Sequence, residues 1–229
     1  MVRAGFANPE EQLVELLPRR AVQEFARGGV IYSPQQPSTN LYVLVAGRVK
    51  TSRTLDDGQT VCRLVCGRGL FGEPALIRAP IHMDTAVALE PTSLISWTGP
   101  EIERQVEREP RLGVVLCQCL AKQCRDLTER IESLVLYQTP ERVMLALVGL
   151  ARMAGTEMPD GTTRIKALTH QTLSEYIGTS REVVTFQLNR LRRLGMIQYS
   201  RQHMDFAVAK LEQAVRQGTG PSQGRSAVA

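Results

Sequence analysis

Nowhere in the 229 residues does an unbroken apolar run approach the roughly 20 residues that a membrane-spanning helix needs. No membrane contact is therefore expected. The first thirty residues interleave Arg3, Glu10, Glu11, Glu15, Arg19 and Arg20 with apolar positions, whereas a secretory leader needs a continuous apolar centre. A cytoplasmic location is the expectation. Histidine is scarce: His82, His170 and His203 lie far apart, and neither HxH nor HExxH occurs. A metal-dependent enzyme on a β-barrel scaffold is thereby disfavoured, no nucleophile motif asks for an enzyme of another kind, and no metal site is expected. His82 reads as an exposed loop residue.

Five cysteines, an odd number without an export signal, read as reduced thiols rather than a disulfide scaffold. Cys62 and Cys66 share one face of an expected strand, Cys117 and Cys124 are seven apart on an expected helix, and core packing is the expected role. No repeat of 20 to 50 residues is visible, so a solenoid is not expected.

What is present is an uneven charge. Residues 1–137 carry 16 basic and 16 acidic side chains, and residues 138–229 carry 12 basic and seven acidic. The whole net charge of +5 thus lies in the shorter part, and a polyanion such as double-stranded DNA suits it. From Gly28 to about Trp97 short β segments alternate with turn residues. In LYVLVAGRVK the apolar residues Leu41, Val43 and Val45 alternate with Tyr42 and Leu44, so a strand buried on both faces is expected, as in a sandwich or roll. Asp56, Asp57 and Gly58 signal a hairpin between TSRTL and QTVCRLV. Gly67, Gly69 and Gly72 spell GxGxxG, but Pro74 and Pro80 leave no room for the helix of a dinucleotide-binding unit, so roll turns are expected.

A long helix follows Pro110 and runs to Thr139. With Gly113, Leu120, Leu127 and Leu134 on one heptad position, Leu116, Gln123, Arg130 and Tyr137 fall on the other seam position. The stripe suits either a two-stranded coiled coil or a helix lying on the β domain. Gln123 and Arg130 would cost stability in a seam while fixing its register, or would touch a nearby ligand. A second helix, ERVMLALVGLARMAG, ends at Gly155 before a loop, TEMPDGTT.

The most informative stretch is Leu168 to Val208. Leu173, Ile177, Val184, Leu188 and Leu191 give two short helices their apolar faces, with Gly178 at the corner. Thr179 and Glu182 match a capping box, and Gly195 a C-cap, which predicts a helix from about Ser180 to Leu194. Its first turn presents Ser180, Arg181, Glu182 and Thr185, with Asn189 a turn further on, to a major groove. Arg can bond both acceptors of guanine and Glu can accept from cytosine. Thr169, His170 and Gln171 at the first helix's start, with Arg201 beyond, suit phosphates. IQYSRQHMDFAV reads as a two-stranded wing.

LYVLVAGRVK, DDGQ, GLFGEPALI and GTSREVVTFQLNRLRRLGMI, in that order, resemble the cyclic-AMP receptor protein and FNR family of dimeric regulators over nearly the whole chain. The resemblance implies an α+β fold. It comprises a cyclic-nucleotide-binding-like β-roll, or jelly roll, over 1–109, a long dimerisation helix and hinge over 110–139, and a winged helix-turn-helix over 140–217. A Gly, Ser and Pro-rich tail, 218–229, is expected to be disordered. The dimer would join through Leu116, Leu120, Leu127 and Leu134, read a palindromic operator and contact RNA polymerase. Arg181 and Glu182 match the family's base-reading pair, whereas Phe186 stands where another Arg is common, so a different operator preference is expected.

The effector pocket departs further. Gly72 and Glu73 match the family's cassette, in which Glu takes a ribose hydroxyl, but Met83 and Asp84 stand in place of the Arg-Ser pair that holds a cyclic phosphate. Aspartate repels phosphate. Arg78 substitutes only with a different loop. Leu127 and Thr128 fall where two hydroxyl residues lie near the adenine, beside Gln123. No cofactor is implied with certainty, and cyclic AMP is not the expected effector. Control by a different small effector, or action without one, fits the chain. Two alternatives stay open: a cyclic-nucleotide-responsive regulator, and a redox- or ligand-sensing protein acting through protein contacts.

Overall fold

The computed structural model describes residues 9–218. The chain divides into two compact units between Thr128 and Glu129.

The N-terminal unit begins with α1 (Pro9–Leu16), followed by β1 (Gln23–Phe25), β2 (Val30–Tyr32), β3 (Asn40–Ala46), β4 (Arg48–Thr54), β5 (Thr60–Cys66) and β6 (Leu70–Phe71). A short 3-10 helix (Glu73–Ile77), β7 (Thr85–Ala88), β8 (Thr92–Thr98), α2 (Gly99–Arg108) and α3 (Arg111–Leu136) complete it, α3 continuing past the unit's edge. The strands form two antiparallel four-stranded sheets, ordered β1-β8-β3-β6 and β2-β7-β4-β5. The predicted hairpin is there: β4 and β5 pair from Arg48–Cys66 to Thr54–Thr60 around Gly58, whose φ of 81° suits glycine.

Strand β3 explains how the roll is filled. Its even residues, Tyr42 and Leu44, join Tyr32, Val49, Val65, Phe71, Ala86 and Leu94 in a core drawn from both sheets. Its odd residues, Leu41 and Val43, pack with Leu13, Trp97, Ile102, Leu112, Val115 and Leu116 under α1, α2 and α3. Two-sided burial therefore holds for Leu41 through Leu44 and fails at Val45, which is exposed because the register shifts there, between Leu44 and Ala46. Removing a fully buried leucine such as Leu41 costs about 2–5 kcal/mol.

The C-terminal unit holds α4 (Thr139–Ala154), β9 (Thr156–Glu157), β10 (Thr163–Lys166), α5 (His170–Ile177), α6 (Arg181–Arg193), β11 (Ile197–Tyr199), β12 (His203–Phe206) and α7 (Val208–Gly218). Helix α4 packs on α5, α6 and α7 and buries Val143, Leu147 and Leu150. The expected two-stranded wing is the β11–β12 hairpin, and it belongs to a four-stranded sheet ordered β11-β12-β10-β9. The segment expected as a plain loop is itself a hairpin turn, in which Asp160 accepts from the N–H and hydroxyl of Thr162. Gly218, expected to open the tail, instead closes α7, and 219–229 lies outside the described residues.

Helix α3 corrects the expected seam. Leu116 is buried in its own chain's core, so it is not available to a partner. Gln123 donates from Nε2 to the Leu70 carbonyl at 3.0 Å, and Arg130 donates from Nη2 to the Tyr176 carbonyl at 2.8 Å. Arg130 also lies 4.9 Å from the centre of the Tyr176 ring. These contacts define one side of the helix as internal. The exposed row runs instead through Cys117, Cys124, Leu127, Ile131 and Leu134, with Leu120 half-buried among them. Cys117 and Cys124, expected in the core, are exposed, and Cys119 is the buried one.

Candidate functional site

The corner of the helix-turn-helix is built by three neighbours. Gly178 caps α5 at φ 73°, ψ 52°, a left-handed conformation that costs other residues roughly 1–2 kcal/mol. Its N–H and that of Thr179 both reach the Ser174 carbonyl, at 2.9 and 3.1 Å. Arg142 donates to the Gly178 carbonyl at 2.8 Å. The Thr179 N–H thus closes the turn, and Ser180, not Thr179, caps α6: its hydroxyl accepts from the Val183 N–H at 3.3 Å. The predicted capping box does not form, and Glu182 sits in the first turn as an acidic group favoured by the helix dipole.

Arg181 and Glu182 are exposed at the N-terminus of α6, with Phe186, 60% exposed, one turn further along. Hydrogen bonds from its own backbone N–H and from Ser180 hold the Glu182 carboxyl below the usual range, so it is an acceptor at neutral pH. Behind them Thr185 is shared: its hydroxyl lies 2.8 Å from His170 Nδ1 and donates to the Arg181 carbonyl. Asn189 accepts from the Tyr199 hydroxyl at 3.1 Å, tying α6 to the wing. Thr185 and Asn189 thus position the helix, while Arg181, Glu182 and Phe186 face outward. Phe186 stands where the resemblance expects an arginine, and the structure places it on the surface.

Thr169 caps α5, accepting from the Thr172 N–H at 3.0 Å. Burial, and then the nearby Arg181 charge, lower the pKa of His170, so it is neutral at pH 7 and is not a cation for phosphate. Gln171 is exposed and donates to Glu175 at 2.9 Å. Arg201 is exposed between β11 and β12, at the wing's turn, and Arg192 lies over the Tyr199 ring at 5.4 Å.

The pocket region of the β-roll is differently made. Gly72, at φ 81°, comes so close to β3 that a Cβ would stand 2.6 Å from the Asn40 carbonyl oxygen. Glu73 accepts two bonds from the Arg63 guanidinium, at 2.9 and 3.3 Å. Asp84 accepts from the Tyr32 hydroxyl at 3.4 Å, and burial raises its pKa. Tyr32 stacks on His82, centroids 3.7 Å apart at 8°. His82 is buried, not exposed as expected, because its backbone pairs with Gln35 and Gln36 beside the Pro37–Ile81 bridge. Arg78 does not substitute for the absent phosphate-binding Arg: its guanidinium donates to Glu103 at 2.9 Å on the outside of α2. Met83 is exposed, Leu127 and Thr128 are exposed on α3, and the Thr128 hydroxyl donates to the Cys124 carbonyl. The sequence paired neither Arg63 with Glu73 nor Tyr32 with Asp84. Among the described residues no cluster of three or more His, Cys, Asp or Glu could hold a metal ion, and no helix is long and apolar enough to cross a membrane.

A winged helix-turn-helix following a cyclic-nucleotide-type β-roll and a long helix defines a DNA-binding transcription regulator. Residues 22–109 match the cyclic nucleotide-binding domain model and residues 141–213 the Crp-like helix-turn-helix domain model. The global nitrogen regulator of Synechocystis sp. is 31% identical over 186 residues, 80% of this chain and 82% of that protein. Among solved structures, a CRP/FNR-family transcriptional regulator from Thermus thermophilus is 27% identical with a TM-score of 0.66, covering 87% of this chain and all of that one. FixK2 from Bradyrhizobium japonicum shares the fold at a TM-score of 0.75 and 19% identity, over 86% of this chain and 97% of that one. The chain belongs to the CRP/FNR family of transcription regulators.

Proposed function

We propose that the chain acts in the cytoplasm as a homodimer that reads a palindromic operator through α6 and contacts RNA polymerase there. The observation that carries this is the first turn of α6, where Arg181 and Glu182 are exposed side by side at a helix N-terminus. Arg181 reads guanine and Glu182 accepts from cytosine, while Arg201, Gln171 and the N-terminus of α5, with Thr169, take phosphates. The dimer reading is supported by the exposed row of α3 from Cys117 to Leu134, which needs cover and repeats at coiled-coil spacing.

Cyclic AMP is not the effector in this proposal. The Glu73 carboxylate is already bonded to Arg63, and Asp84 stands where a phosphate would need a cation. Either another small molecule enters the roll or the dimer is competent without one. The last turns of α3 offer a route for control, since Arg130 holds Tyr176 and Leu134 lies next to Gly178 at the reading corner.

Selection of binders from random duplex DNA tests the reading. The expected product is a palindrome whose half-sites are about 10 base pairs apart, the spacing of a twofold reader. Recovery of asymmetric sites, bound by a chain that sediments as a monomer, would overturn it.

A further inference from the structure

Of the five cysteines, Cys62 and Cys119 are buried and Cys66 is half-buried, whereas Cys117 and Cys124 are exposed. Those two lie one heptad apart and alternate with Leu120, Leu127, Ile131 and Leu134 at steps of three and four along α3. That is the spacing of a single two-stranded seam, in which each residue meets its own copy across the twofold axis. Packed helix axes lie about 8–10 Å apart and Cα atoms about 2.3 Å from each axis, which leaves roughly 3.5–5.5 Å between facing Cα atoms. A disulfide spans about 4.4–6.8 Å between Cα atoms, so the two ranges overlap.

A metal is a poorer occupant of the same thiols. One heptad is about 10.5 Å along a helix, far more than Zn–S bonds of about 2.3 Å can bring together. The four thiols of a dimer therefore act as two separate pairs. Of the remaining cysteines Cys62 is buried inside the roll, and burial pushes the Cys66 thiol up to about 11 and that of Cys119 up to about 12, which disfavours the reactive thiolate.

We propose that Cys117 and Cys124 form a redox-modification site in which each thiol bonds to its own copy, joining the dimer covalently when a peroxide is present. This rests on the dimer proposed above. The first thiolate attacks a peroxide oxygen, breaking the O–O bond, giving a sulfenic acid and releasing one water. The thiolate of the partner subunit then attacks that sulfur, and the second water leaves. For each disulfide two thiols lose two electrons and two protons, and one hydrogen peroxide becomes two waters. The bond frees the dimer from mass action, so operator binding survives dilution that separates the reduced subunits.

The test uses the full chain, first sedimented under reductant, then treated with hydrogen peroxide and run on a non-reducing gel. The expected result is a reduced dimer that converts to a species of twice 25.4 kDa and reverts with dithiothreitol. Cys117→Ser and Cys124→Ser alone should each still cross-link, and the double variant, sedimenting as a dimer, should not. A reduced dimer that stays unlinked under peroxide, or a double variant that still cross-links, overturns the thiol site and leaves the dimer standing. A chain that sediments as a monomer overturns the dimer, and the site with it.

Discussion

The two regions that bear on function use the same side chains in opposite ways. In the roll Arg63, Glu73 and Asp84 are partly buried and bonded to groups of their own unit, Arg63 to Glu73 and Tyr32 to Asp84. In the reading helix Arg181 and Glu182 are exposed, and the groups behind them, Thr185 with His170 and Asn189 with Tyr199, hold the helix in place. Charged groups that satisfy one another offer little to a ligand, because binding must first break bonds already made. Charged groups held in water by a rigid frame have no such bond to break and little ordering to lose, so desolvation is the main cost set against their pairing with a partner. In the roll these charged groups are taken up by partners within the unit, and at the start of α6 they stand exposed.

The largest effect expected from this contrast is on salt dependence. If α6 and the wing bind DNA by displacing counterions from six or more phosphates per dimer, affinity should fall by about a thousandfold between 50 and 200 mM salt. Fluorescence anisotropy on the selected operator measures it, and a flat response would favour the protein-contact alternative. Next, Arg181→Ala should cost about 1–3 kcal/mol of specific binding, with the loss concentrated at one guanine of each half-site. An equal loss on every sequence would mean that Arg181 holds a phosphate instead. On the side of the roll, calorimetry should give no submillimolar binding of cyclic AMP or cyclic GMP to the native chain. Met83→Arg with Asp84→Ser, which replaces a repelling carboxylate by a cation and a hydroxyl, should gain cyclic AMP binding at millimolar levels or better. Submillimolar binding to the native chain would show that the Arg63–Glu73 bond opens readily. Phe186→Arg should shift base preference toward guanine at the position facing it, by at most about 1–3 kcal/mol, read by repeating the selection.

The features that local chemistry decides are legible in the sequence. Gly58 between two alternating apolar runs gave the β4–β5 hairpin, and Gly178 between two apolar periodicities gave the reading corner. The features that distance in the chain decides are not. Three leucines seven apart fit a seam shared with residues 116, 123 and 130 or one shared with 117, 124 and 131. Only the packing of Leu116 in the core and the bond from Gln123 to Leu70 choose the second. Thr179 and Ser180 are adjacent hydroxyl residues, each able to cap α6, and it is the Ser180 hydroxyl that accepts from the Val183 N–H. His82 lies between prolines and polar residues that read as an open loop, and it is buried by pairing with a segment some 45 residues earlier. Phe186 was visible, but its meaning depended on exposure.

The smallest expected effect separates the two units by their response to acid. His170 in the C-terminal unit has its pKa lowered by burial and then by Arg181, so above about pH 6.5 it is neutral both folded and unfolded and contributes no slope. As pH falls below that value the unfolded chain takes up the proton first, and folding loses stability at no more than about 1.4 kcal/mol per pH unit. Asp205 is held low mainly by its bonds from Arg164, and Glu182 by the bonds at its helix end, so both lose their contribution at still lower pH, in the same direction. In the N-terminal unit burial lowers His82 likewise, but it also raises Asp84, whose ionised form is penalised in the fold and whose protonation on acidification restores stability. Hydrogen exchange compared at pH 7.5 and 5.5, with the intrinsic rate at each pH divided out, should therefore show α5 and α6 losing protection, while in β2 and β7 Asp84 acts against the loss that His82 brings. His170→Gln, which keeps a hydrogen-bonding group toward Thr185 while removing the titration, should reduce that loss in α5 and α6 alone. An unchanged loss in the variant would place the acid sensitivity elsewhere in the C-terminal unit.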